Sequence, residues 1–142
     1  MAKAVLPRVH ALLLCDDIEP APGEPGVHNL LGVRTRLEAP TFPYIHPRLY
    51  VYLQVAGHEG TFSGTLAAVN ARTDEELFSR PIPSTELLGP LFVVSTSLWI
   101  QDCEFPESGI YYFQVYFGQK LVFERPLHLV QNQVLPNGRE PA

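Results

Sequence analysis

Period-two alternation of apolar and polar residues is the dominant pattern along the chain. It is clearest over residues 48–56, where Leu49, Val51, Leu53 and Val55 point one way and Tyr50, Tyr52 and Gln54 the other. Residues 109–117 repeat it, with Tyr111, Phe113, Val115 and Phe117 on one face and Tyr112, Gln114 and Tyr116 opposite. Both read as half-buried strands. Gly118-Gln119 then leads directly into 120–123, which predicts a two-residue hairpin.

Weaker strands are expected at 9–16, 61–69, 77–80, 91–100 and 127–130, and at 29–37 with Leu31, Val33 and Leu37 inward and Arg34 and Arg36 outward. Pro20-Ala21-Pro22-Gly23, Gly57-His58-Glu59-Gly60 and Pro106-Glu107-Ser108-Gly109 read as turns between them. Residues 84–88 are the only candidate for a helical turn. Pro126 predicts an edge position or a bulge, because proline cannot donate to a ladder; regular alternation past it would put Arg125 on the side of Leu127 and Leu129, which favours the bulge. The fold class that follows is all-β, a two-sheet antiparallel β-sandwich of seven to nine strands with immunoglobulin-like character. Residues 1–131 form one domain, and 132–142, polar with Pro136 and Pro141, form a flexible tail.

Composition narrows the function classes. The 142 residues fit one domain, and 18% charged against 46% hydrophobic with 14 prolines suits short strands and stiff connections. A net charge of -5 and ten scattered Lys and Arg give no phosphate-tracking surface, so no nucleic-acid partner is expected. The longest apolar runs, 11–15 and 87–94, fall far short of the roughly 18 residues of a membrane span. Lys3, Arg8 and the run ending at Cys15 imitate a lipoprotein signal, but the run is too short, Pro7 and His10 interrupt its approach and Leu14 is not small. A cytoplasmic protein is expected, with Cys15 and Cys103 as small buried hydrophobes, a bridge between them being the alternative.

Two resemblances bear on architecture. The run Glu107-Ser108-Gly109-Ile110-Tyr111-Tyr112-Phe113 resembles the immunoglobulin segment in which a tyrosine precedes the second core cysteine by two places, with Phe113 in the cysteine's position. That likeness implies a tyrosine corner at Tyr111. Residues 11–16, 29–33, Ala39-Pro40-Thr41-Phe42-Pro43 with His46-Pro47, and 105–109 with Tyr111 and Phe113 are similar to a family of small bacterial proteins known only as a domain of unknown function. It implies a stand-alone β domain and carries no activity, cofactor or catalytic residue to transfer.

Candidate chemistry is sparse. His10, His28, His46, His58 and His128 are dispersed, and there is no Cys-x-x-Cys. Asp16, Asp17 and Glu19 offer loop oxygens to calcium, against the plainer reading of a solvated strand end. Ser63, Ser84, Ser95 and Ser97 lie outside any nucleophile elbow, and the Gly57–Gly64 spacing lacks the lysine and helix of a phosphate loop. The carboxylates at 74–76 and at Glu104 with Glu107 fall in hydrophilic connections. No enzyme activity, cofactor or metal is expected. Trp99 alternates with Ser95 and Ser97, opposite Leu98 and Ile100; the usual burial of large aromatics places it inward.

Tyrosine on polar strand faces is the remaining signal. If 48–56 and 109–117 are the neighbouring third and sixth strands of one sheet, Tyr50, Tyr52, Tyr112, Gln114 and Tyr116 form one outer patch. Tyrosine gives large amphipathic contact area at low entropy cost. The expected function is a non-catalytic protein-interaction module or accessory subunit, its partner another protein or a second copy. The alternative is a small-ligand or carbohydrate-binding module, which requires rings around a concavity.

Overall fold

The computed structural model describes residues 6–132, and the expected tail lies outside them except for Asn132, whose amide donates to Ala39 O at 2.9 Å. Seven continuous strands run in chain order: β1 (Arg8–Pro20), β2 (His28–Arg34), β3 (Arg36–Ala39), β4 (Tyr44–Asn70), β5 (Glu76–Phe105), β6 (Gly109–Phe117) and β7 (Lys120–Gln131). The described residues contain no helix. Divided at their irregularities these make ten strands in two sheets, one above the expected range, in the sandwich arrangement the alternation predicts.

β4 and β5 form one antiparallel ribbon paired from Tyr44↔Phe105 to Val69↔Glu76. β1 pairs with residues 50–56 of β4, and β6 with 64–70, so the two occupy different halves of the ribbon. The register shifts between Ala56 and His58 and again between Phe62 and Gly64. These shifts bend the ribbon and fold its halves face to face. One layer runs β2-β1-β4-β5; the other runs β5-β4-β6-β7, with β3 added parallel to β7. Gly57-His58-Glu59-Gly60 is therefore a bend inside β4 and not a reversing turn, and 84–88 is strand and not helix, because the two stretches pair across the ribbon, from His58↔Gly89 to Phe62↔Thr85.

The inward faces share one core. Leu12, Leu14, Leu49, Val51, Leu53, Val55, Leu98 and Ile100 from the first layer meet Leu66, Phe113, Val115, Phe117, Leu127 and Leu129 from the second. Each fully buried side chain of this size contributes about 1.5–3 kcal/mol. Aromatic edges lock the layers, Phe105 against Tyr111 at 5.0 Å and Phe62 against Phe117 at 5.5 Å between ring centres. Leu37 is buried as expected, but Leu31 and Val33 are exposed: the chain breaks at Thr35 and changes layer, leaving β2, among the described residues, as an outer strand paired with β1 alone.

Two local devices hold the corners. The Phe117↔Lys120 pair closes the expected hairpin over Gly118, at φ 63°. Tyr111, fully buried, donates its hydroxyl to Glu107 O at 2.7 Å and accepts from Glu107 N at 3.2 Å, a tyrosine-corner contact. Buried Asn70 donates to the Glu107 carboxylate at 2.8 Å, and Arg72 donates to the same oxygen at 2.7 Å, which ties the β4–β5 turn to the β5–β6 turn. The bulge in β7 falls at Val122, where the register passes from Val115↔Phe123 to Tyr116↔Leu121, and not at Pro126. Pro126 is tolerated as an edge residue because β3 pairing begins only at His128. Arg125, on the side of Leu127 and Leu129, is half-buried.

A Cβ at Gly64 would stand 2.7 Å from Tyr116 O and 2.8 Å from the Phe117 ring, at the point where β4 enters the second layer. Gly64→Ala is expected to destabilise by about 1–3 kcal/mol in urea unfolding; wild-type stability would show that the close approach is not required. Arg72 and then Asn70 hold the Glu107 carboxyl below its usual range. Its contribution to stability is complete above the unfolded value near 4.5 and disappears as pH falls through the lower folded value. Glu107→Gln should melt below wild type at neutral pH, the gap closing on acidification; a gap independent of pH would contradict this assignment.

Candidate interaction surface

Tyr50 and Tyr52 lie on the outer face of the first layer, where Tyr50 sits between Cys15 of β1 and Trp99 of β5, and Tyr52 between Leu13 and Ser97. Tyr112, Gln114 and Tyr116 lie on β6, opposite Val69, Ala67 and Thr65 of β4. All five are half-buried. The bend between 57 and 64 places them in different layers, and since both inward faces pack into the same core, the two groups face away from one another. The single patch of four rings is corrected accordingly: 48–56 neighbours β1 and β5, and the β4 segment beside β6 is the later one, 64–70. Alternation reports which side of a strand is polar, not which layer the strand belongs to.

Trp99 also departs from expectation, standing 50% exposed while Leu98 and Ile100 are buried. Strand alternation outweighs the general tendency of tryptophan to be buried, and the polar parity with Ser95 and Ser97 was the signal that locates it. The indole stacks on Tyr50 with ring centres 6.3 Å apart and planes 13° from parallel. The Arg48 guanidinium lies 5.5 Å from the Tyr50 centre and is held by Asp17 at 2.8 Å. Tyr52 shares a hydrogen bond with Ser95 Oγ at 2.8 Å and accepts one from Gln54 Nε2 at 2.9 Å. These contacts hold the side chains of Tyr50, Tyr52 and Trp99 in place.

On the opposite face the polar groups bond to each other along the sheet. Tyr116 donates to Gln114 Oε1 at 3.1 Å, and Gln114 Nε2 donates to Glu124 at 3.1 Å. A concavity of about 360 Å³ lies elsewhere, lined by Arg34, Arg36, Leu37, Glu38, Tyr44 and His46. Its charges are engaged internally: Arg34 forks onto Asp16 at 2.7 and 3.0 Å, Arg36 pairs with Glu38, and Tyr44 bonds His46 Nδ1 at 2.9 Å. Burial holds the His46 pKa below its usual value.

The acidic strand end and the two thiols complete the candidate chemistry. Of the calcium candidates Asp16, Asp17 and Glu19, the first two are paired with Arg34 and Arg48. Among the described residues no three His, Cys, Asp or Glu side chains gather as metal ligands. Cys15 and Cys103 are buried free thiols. Burial pushes the Cys103 pKa up to about 12, and burial followed by the Asp16 charge raises that of Cys15. Such thiols are protonated at neutral pH and poor nucleophiles. No helix among the described residues is long and apolar enough to cross a membrane.

The chain belongs to a family of unknown function, DUF6941, whose sequence profile matches residues 10–130. No curated protein matches it. Among solved structures, it is similar to a β-glucosidase from Listeria innocua in complex with isofagomine, at 10% identity and a TM-score of 0.46. That likeness covers 88% of this chain but only 17% of the glucosidase chain.

Proposed function

We propose that this member of a family without an assigned function is a non-catalytic interaction module, an accessory subunit that binds another protein chain through the outer face formed by Arg48, Tyr50, Tyr52 and Trp99. Trp99 carries the reading. A tryptophan half exposed on a strand, stacked on a tyrosine that also meets a guanidinium, presents the three residue types most enriched at interface hot spots. Because stacking and hydrogen bonds already order the rings, docking costs little side-chain entropy. The protonated thiols and paired carboxylates support a non-catalytic role. Two buried free thiols also suit a reducing, cytoplasmic setting.

At the face carrying Tyr52 and Trp99, shape favours a protein over a sugar. The hollow beside Tyr52, lined by Ile18, His28, Tyr52, Ser95, Thr96 and Ser97, measures about 40 Å³. Small-molecule sites run from roughly 300 Å³ upward, so this one is too small to receive a sugar ring.

The double variant Tyr50→Ser with Trp99→Ser is expected to lose association, measured both as self-association by light scattering and as partner capture from the source cell's extract. Its circular dichroism should match wild type. The corresponding Tyr112→Ser with Tyr116→Ser pair on the opposite face should retain association. Wild-type association in the first variant, or no association by either measurement in the unaltered protein, contradicts the proposal.

A further inference from the structure

We propose that residues 93–99 of β5 pair antiparallel with the same residues of a second copy, joining two first layers into one continuous sheet. The inference rests on the reading of this face as an interaction surface and names its partner. Among the described residues β4 is the strand that pairs with β5, so residues 93–99 have no ladder partner on their other edge.

Exposed edges ordinarily carry charge, proline or irregularity that prevents strand addition. The other open edges here do. β3 has four residues, two of them Arg36 and Glu38; β2 carries Arg34 and a kink at Gly32, φ 65°. The earlier half of β5 contains Pro81, Pro83 and Pro90 with Glu76, Arg80 and Glu86. Residues 91–101 contain no proline and no charged side chain. That run ends at Asp102, φ 52°, where the regular strand geometry breaks.

Backbone direction fits as well. Arg80 Nη1 donates to Trp99 O at 3.3 Å from outside the β4–β5 ladder, which places the Trp99 backbone groups on the open side. Alternation then puts those of Val93, Ser95 and Ser97 there too. In a two-fold antiparallel pair, directly opposed residues share a face, so their numbers sum to an even value. A centre at Thr96 satisfies this. About it the chain reads Phe92-Val93-Val94, Ser95-Thr96-Ser97, Leu98-Trp99-Ile100: three apolar, three polar, three apolar.

That register sets Val93 against the second copy's Trp99 and Ser95 against its Ser97. Val93 and Trp99 are each 50% exposed and on the outer side, so apolar surface left open in one chain is covered by apolar surface of the other. The amide of the second copy's Val93 would take the Trp99 carbonyl now held by Arg80. Pairing also brings two Tyr50–Trp99 stacks onto one extended face.

Sedimentation and light scattering across micromolar to submillimolar concentrations test this. Wild type should reach twice the 15.9 kDa chain mass. Ser97→Lys brings two cations close to the two-fold axis, and Ser97→Pro removes an outward amide that β4 does not use. Each should weaken dimerisation at least tenfold with an unchanged far-ultraviolet spectrum, the lysine variant deciding the matter if proline disturbs folding. A wild type that stays at one chain mass, or a dimer unaffected by Ser97→Lys, overturns the inference. A monomeric wild type that still captures another protein through Tyr50 and Trp99 overturns the second copy alone and leaves the proposed function standing. Loss of both self-association and capture overturns both.

Discussion

The structure depends on the β4–β5 register. A ribbon paired from Tyr44↔Phe105 to Val69↔Glu76 is long enough to serve both layers, and it does so because the ladder slips twice between Ala56 and Gly64. Without those slips β1 and β6 would lie end to end along one flat edge of β4, and their apolar faces would remain in water. With them, the two faces close on each other over Leu53, Leu66 and Phe113, all essentially excluded from solvent. A slip of one residue elsewhere in the ribbon would turn Leu49, Val51, Leu53 and Val55 outward, so the core and the register enforce one another.

The same bend determines the surfaces. It separates Tyr50 and Tyr52 from Tyr112 and Tyr116, and it leaves β5 as the outermost strand of both layers. The first consequence concentrates the aromatic surface of one face around Trp99. The second leaves an uncharged edge directly beside that face. The proposed binding surface and the proposed pairing edge are thus two results of one folded ribbon, and the Tyr50–Trp99 stack belongs to both.

Much of this was legible in the residues, with a definite boundary. The strands carrying Val51 and Phe113, the Gly118-Gln119 hairpin and the Tyr111 corner follow from patterns within a few residues of each other, which local sterics and alternation decide. Layer membership does not. Gly57-His58-Glu59-Gly60 has the composition of a turn, and a strand bend uses the same glycine freedom, Gly57 standing at φ 80°; only the unbroken pairing to β5 distinguishes them. Leu31 and Val33 alternate like core residues but lie on an outer strand, where both are exposed. For Trp99, the parity of its neighbours was the better guide than its size.

In the proposed pairing, β5 presents its unpaired edge beside the Trp99 face and a second copy of the chain completes it. Hydrogen–deuterium exchange at the amides of Val93, Ser95, Ser97 and Trp99, followed as protein concentration is raised, tests it most directly. Pairing of two copies should give fast exchange when dilute and protection that grows with concentration, while amides of β4 remain protected throughout. Fast exchange at those four amides at every concentration would contradict it.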